Sequence, residues 1–337
     1  MDKRVIFAVA GSGKTTYIIN KLNLIDRFLI ITYTNNNVHN LRTGILKKFG
    51  FFPDNIRLYS YYSFLYNFCY KPFLHLELGT KGINYEQTPF KFAKKSDRNY
   101  YIDRHNRLYS SRIAKLIIEQ DVVKYVLARI SKYFDFMLID EIQDFAGNDF
   151  NLLKEISKAN LNHIYVGDFY QHTFDTGRDG NINSKLHDNF DSYKREFQKM
   201  GLELDLKTLS KSYRCSPTLC KFISDNLKIN IESHRKDTTN IKMIKDYEEA
   251  GVVKNDSNIV KLFYREHYKY NCFSRNWGDS KGEDKYHDVC TIINKTTMTH
   301  LEKGTLEQLA PTTKNKLYVA LSRTKNDLYL IPDSLIK

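Results

Sequence analysis

A chain of 337 residues with a 42% hydrophobic fraction is long enough for two domains of ordinary size, each with its own core. It contains no apolar run near the ~18 residues that a membrane-spanning helix needs, which argues against a membrane protein. The formal charge of +13 favours a polyanionic partner, and five scattered cysteines with no C-x-x-C pattern argue against a disulfide framework or a metal site.

The N-terminus, Met1-Asp2-Lys3-Arg4, runs straight into the strand-like Val5–Val9. That run is too short and too soon followed by glycine for a signal peptide, so a cytoplasmic protein without a membrane partner is expected. The first two hundred or so residues alternate apolar strand-like runs with helical stretches, the signature of a mostly parallel α/β sheet. Strands are predicted at Val5–Val9, Phe28–Tyr33, Ile56–Tyr59, Phe136–Ile139 and His163–Val166, and helices at Lys14–Leu22, Asn37–Lys48 and Asp149–Ala159. Residues 66–130 interrupt this rhythm with a Lys- and Tyr-rich insertion that holds a helical stretch over Ser111–Ser131. A charged helix, Asp188–Met200, precedes the expected domain junction, so the domains are read as 1–205 and 206–337. In the second domain a helix is predicted at Pro217–Asn226, strands at Ile259–Phe263, Tyr270–Ser274 and Val289–Ile293, a helix at Thr313–Arg323 and a last strand at Asp327–Ile331.

Two motifs carry chemistry by themselves. Ala8-Val9-Ala10-Gly11-Ser12-Gly13-Lys14-Thr15 fits the phosphate-loop pattern A-x4-G-K-T, with a strand before it and a helix after it. Small residues at Ala10, Gly11, Ser12 and Gly13 let the backbone approach phosphate closely, and the helix that follows presents its positive end. Lys14 is placed to neutralise the β- and γ-phosphates of ATP. The Thr15 hydroxyl is placed to ligate Mg²⁺, and Thr16 is counted with the nucleotide-binding residues. The second motif is Phe136-Met137-Leu138-Ile139-Asp140-Glu141, an apolar strand ending in two carboxylates at the edge where parallel sheets open into a ligand crevice. Asp140 suits a Mg²⁺ ligand and Glu141 a general base acting on water.

Further segments appear in a fixed order along the chain. Asp140-Glu141-Ile142-Gln143-Asp144 resembles the D-E-x-Q-D box of superfamily 1 helicases of the UvrD/Rep kind. Thr32-Tyr33-Thr34-Asn35-Asn36 is similar to that family's T-F/Y-T-N-x segment, and Ser60-Tyr61-Tyr62-Ser63-Phe64 to its T-F-H-S-F segment. Val166-Gly167-Asp168-Phe169-Tyr170-Gln171 resembles V-G-D-x-x-Q, and Ser212-Tyr213-Arg214 resembles N-Y-R. Ser280-Lys281-Gly282-Glu283 looks like a K-G-x-E box shortened by one residue, and Tyr318-Val319-Ala320-Leu321-Ser322-Arg323 is similar to Y-V-A-L/M-S/T-R. The resemblance implies two RecA-like P-loop NTPase domains with mostly parallel sheets and ATP in the cleft between them. It implies that Gln171 senses the γ-phosphate. Arg214 and Arg323 would stabilise charge on the transferring phosphoryl group, an effect worth about 10³–10⁵ in rate. Glu283 would accept a ribose hydroxyl, and Thr34, Asn35, Tyr61 and Tyr62 would contact a single strand.

The expected function is therefore ATP-dependent translocation along, or unwinding of, single-stranded nucleic acid, DNA in the first instance and RNA as the alternative. Three features depart from the family. The sequence is expected to lack a glutamine segment ahead of the phosphate loop, the second-domain insertion has no room between Arg214 and Lys281, and the first-domain insertion is short. These favour a stripped motor core. They also keep open a second reading, a nucleotide-switched regulatory ATPase acting with a partner such as a nuclease in repair or defence.

Overall fold

The computed structural model describes residues 1–87, 93–173 and 180–336. Residues 88–92 of the expected insertion lie outside the described residues. By its internal contacts the chain forms two compact units. Met1–Ile6, Thr15–Gly167 and Asp175–Asp205 make the first unit, and Phe7–Lys14, Asp168–Phe174 and Leu206–Lys337 make the second. Both are α/β structures with parallel sheets, as expected of RecA-like domains.

The first unit is built on a six-stranded sheet in the order β3-β2-β6-β7-β1-β8. Its strands are β1 (Lys3–Phe7), β2 (Phe28–Thr32), β3 (Ile56–Ser60), β6 (Phe136–Asp140), β7 (Asn162–Gly167) and β8 (Glu203–Asp205). A separate parallel pair, β4 (Gly82–Asn84) with β5 (Arg107–Tyr109), belongs to the insertion. Every residue of β2 is buried, which is what a parallel strand covered on both faces requires. Each fully buried Leu, Ile or Phe there contributes about 1.5–3 kcal/mol. The register sets Ile31 of β2 beside Ile139 of β6, and Asp140 beside Val166 of β7. The carboxyl ends of these central strands therefore finish level, and the residues just past them share one edge of the sheet. After β2, the helix Asn35–Phe49 is capped at its start by Thr34, whose hydroxyl accepts from the Asn37 amide at 3.2 Å, and at its end by the left-handed Gly50.

The second unit carries a five-stranded parallel sheet in the order β11-β15-β14-β12-β13. Here β11 is Ile241–Met243, β12 Val260–Phe263, β13 Ser274–Asn276, β14 Val289–Ile293 and β15 Leu328–Pro332. A two-stranded pair, β9 (Lys211–Ser212) with β10 (Glu232–Ser233), lies outside that sheet. One apolar core joins Val9 and Ala10 of the phosphate loop to Cys215, Leu219, Trp277, Leu317 and Tyr318. Cys69, Cys215, Cys220 and Cys290 are buried. No helix among the described residues is long and apolar enough to cross a membrane.

The structure differs from the sequence reading at several places. The stretch Ser111–Ser131 is two helices, Ile113–Glu119 and Val123–Tyr133, broken where Asp121 takes a left-handed conformation (φ 52°). The predicted strand Tyr270–Ser274 is displaced to β13, because 267–269 form a tight turn and Tyr270 instead stacks on Phe263 at 4.0 Å. Helices at Tyr247–Asn255 and Lys295–Glu302 were not expected, nor was the helical run that begins at Tyr61 and ends at Leu78.

Candidate active site

In the second unit the phosphate loop is an irregular turn with Gly11 at φ 70° and Gly13 at φ 86°, conformations costly for any residue with a Cβ. Its backbone is tied down from several directions. The Val9 amide donates to Leu209 O at 3.0 Å, the Ala10 amide to the Tyr318 hydroxyl at 2.8 Å, and the Tyr213 amide to Gly11 O at 2.9 Å. Tyr318 in turn donates to Asp168 Oδ2 at 3.0 Å, and Asp168 Oδ1 accepts from the Tyr170 amide at 3.1 Å. A buried chain thus runs from the loop through Tyr318 to the first residue after β7. The fit of Gly11 is tight: a Cβ there would lie 2.6 Å from Arg214 Cβ and 2.7 Å from Ser212 Oγ. Ser12 Oγ is buried with no hydrogen-bond partner among the described residues, a donor suited to a phosphate oxygen. The loop therefore fits a nucleotide phosphate on two counts, close backbone packing and an orphaned hydroxyl.

Arg214 and Arg323 belong to the same unit and feel each other. Burial, and next the like charge of Arg214, push the Arg323 guanidinium down to about 10, which leaves it charged at neutral pH. Arg323 is 2% exposed and is held by carbonyls: Nε donates to Val319 O at 3.2 Å, and a terminal nitrogen to Glu283 O at 3.2 Å and Ser280 O at 3.4 Å. Arg214 pairs with Asp284 and donates to Ser322 O at 3.1 Å. Two guanidinium groups brought close in a largely dry setting are a site for polyvalent anion. Asp284, which sequence reasoning missed, is the carboxylate that partly balances them. Glu283, expected to take a ribose hydroxyl, is instead engaged by the Tyr286 hydroxyl and lies 3.6 Å from Arg275, so its side chain is already committed. Gln171 is buried in the tight turn Phe169–Gln171 that follows Asp168.

In the first unit Asp140 ends β6, is 2% exposed, and accepts from the Thr32 hydroxyl at 3.3 Å through Oδ2. Glu141 turns the chain with φ 55°, and the Gln143 amide donates to its carboxylate. Gly167 at the end of β7 leaves room for that box, since a Cβ would sit 2.3 Å from Gln143 Oε1 and 2.7 Å from Ile142 Cγ2. Thr15 and Thr16 lie in the first turn of the helix Lys14–Lys21, with Thr15 half-buried and Thr16 exposed.

The expected strand-contact residues do gather on the same sheet edge. Asn35 is exposed at the start of its helix, beside the capping Thr34. The Tyr62 hydroxyl shares a hydrogen bond with the Tyr33 hydroxyl at 2.9 Å. Tyr61 is a correction: it is 2% exposed, with its ring edge-on to Phe145 at 4.7 Å and stacked with Tyr33 at 5.7 Å. No face of its ring is open to a base, so Tyr61 is a packing residue beneath Tyr62.

No protein-family model matches the sequence, and no curated protein matches it. Among solved structures the fold matches the complex of arterivirus nonstructural protein 10 (helicase) with DNA, at a TM-score of 0.53 and 12% identity, over 98% of this chain and 60% of that one. It also matches the crystal structure of arterivirus nonstructural protein 10 (helicase), at a TM-score of 0.52 and 12% identity, over 99% of this chain and 62% of that one. The chain therefore spans about three-fifths of the length of these structures. At this identity the likeness is one of fold, and the chain shares the α/β fold of these helicase structures.

Proposed function

We propose that the chain is an ATP-dependent translocase or helicase of the superfamily 1 type that acts on single-stranded nucleic acid, with DNA as the first candidate. One observation carries the reading: a phosphate-loop glycine packed directly against Arg214, in a unit that also brings Arg323 within electrostatic reach of Arg214. A phosphate loop alone suits any NTPase. Adding two guanidinium groups suits a phosphoryl transfer whose charge must be stabilised as the bond to the leaving group breaks.

On this reading Lys14 and the loop amides bind the β- and γ-phosphates, and Thr15 and Asp140 hold Mg²⁺. The bound ion neutralises phosphate charge. Glu141, oriented by Gln143, takes a proton from the attacking water, whose oxygen forms the new bond to the γ-phosphorus as the bond to the β-phosphate oxygen breaks. Arg214 and Arg323 stabilise the charge that develops there. The chain from Ala10 through Tyr318 to Asp168 connects the loop to the turn that carries Gln171. Thr34, Asn35 and Tyr62 supply the strand contacts.

ATP turnover measured with and without oligo-dT tests this. Turnover should rise with the strand, and Lys14→Ala should lower it by about 10³-fold or more while strand binding persists. Arg323→Lys, which keeps the charge but loses the forked geometry, should also lower turnover. Turnover indifferent to any nucleic acid overturns the reading and leaves the regulatory ATPase in its place.

A further inference from the structure

Tyr85 is an exposed aromatic on a fixed mount. It follows β4, whose register with β5 pairs Asn84 with Tyr109. Asn84 is 5% exposed and ties down the backbone that carries Tyr85. Its Nδ2 donates to Asp103 Oδ2 at 2.9 Å, and its Oδ1 accepts from the Glu86 amide at 2.9 Å. Asp103 is itself fixed by the amides of His105 and Arg107, at 2.9 and 2.8 Å, and by the Arg107 guanidinium. Yet the Tyr85 residue is 67% exposed. Among the described residues its ring meets that of Tyr62, edge to face at 5.3 Å and 85°. A large ring set in water on a fixed backbone gains little for the fold, but it offers a partner a stacking surface at a reduced ordering cost.

We propose that Tyr85 is a base-stacking residue for single-stranded nucleic acid, supplied by the insertion and continuing the contact surface that begins at Thr34, Asn35 and Tyr62. This rests on the function proposed above. The occupant is a nucleobase rather than a protein side chain for two reasons. Tyr85 touches Tyr62, which shares a sheet edge with the Thr34 and Asn35 segment. The insertion that carries it is also basic, with twelve Lys and Arg against six Asp and Glu over residues 66–130. Basic charge draws the backbone and aromatic faces take the bases, the division of labour that sequence-tolerant single-strand binding uses.

The test is fluorescence anisotropy of a labelled oligo-dT and of an abasic oligomer of equal length, with wild type, Tyr85→Phe and Tyr85→Ala. Tyr85→Ala should weaken oligo-dT binding by about 5- to 100-fold, and Tyr85→Phe should retain it. The wild-type preference for oligo-dT over the abasic strand should shrink by the same factor in Tyr85→Ala. The salt slope should not change, because stacking releases no counterions. A 2-aminopurine strand should be quenched by wild type and less so by Tyr85→Ala. If wild type binds oligo-dT and Tyr85→Ala binds it equally, or loses affinity for both strands alike, the Tyr85 assignment is wrong and the general reading stands. If wild type binds neither strand, both fall together.

Discussion

Asp149 offers a sharp test of the buried electrostatics behind Tyr61 and Tyr62. It lies in the first turn of the helix Gly147–Ile156 and is 0% exposed. Burial pushes it up to about 7 from its ordinary 3.8, against the opposing pull of the Tyr61 hydroxyl. The folded state therefore holds a proton that the unfolded chain releases, and stability from this group is full below pH 4 and is lost as pH rises through 7. At ~1.4 kcal/mol per decade of proton affinity, that loss is about 4 kcal/mol. His163 runs the other way. Burial pushes it down to about 4 from 6.5, so its contribution is present above pH 6.5 and is lost as pH falls through 4. The two slopes oppose each other between pH 4 and 6.5. Asp149→Asn removes one and should unmask the other, giving a variant whose stability rises with pH across that window. Relative to wild type, the variant should gain about 4 kcal/mol on going from pH 4 to pH 8. Comparing two pH values cancels the cost of burying the new amide. Urea melts followed by far-UV circular dichroism read this out. Fluorescence of the single Trp277, which is buried in the second unit, reports on that unit separately. Parallel pH profiles for wild type and Asp149→Asn would refute the reasoning.

Other perturbations test the site itself. Gly11→Ala should abolish binding of a fluorescent ATP analogue, because the new Cβ meets Arg214 Cβ at 2.6 Å. Gly50→Ala, with a similar φ of 79° and nothing within 4 Å, should leave nucleotide binding intact. Strand affinity should fall at least about tenfold between roughly 50 and 200 mM salt, as expected when basic side chains displace counterions, and a flat salt titration would contradict a phosphate-contacting surface.

What the sequence made legible follows from the range of each signal. Continuous apolar runs identified the buried central strands, and Val289–Ile293 is reproduced residue for residue because its flanks turn polar at both ends. Three-residue edge strands such as Glu203–Asp205 and Ile241–Met243 carry too few residues to show a period. The left-handed Asp121 that splits the insertion helix has no glycine or proline to announce it. At the site, the phosphate loop and the Asp140-Glu141 pair were visible because each is one contiguous segment. The Tyr318 bond to Ala10 spans 308 residues and the Arg214 bond to Asp284 spans 70, so neither could be read locally. Glu283, expected to accept a ribose hydroxyl, is instead taken by the Tyr286 hydroxyl, and the shortened K-G-x-E box gives no sign of that contact. The burial of Tyr61 depends on Phe145 and Tyr33, which only the sheet register brings beneath it.

The central claim is that ATP turnover drives movement along a strand, and streptavidin displacement from end-biotinylated oligonucleotides measures that directly. We predict ATP-dependent release of streptavidin from one end in preference to the other, abolished in Lys14→Ala. Steady ATP turnover with no release from either end would contradict the account.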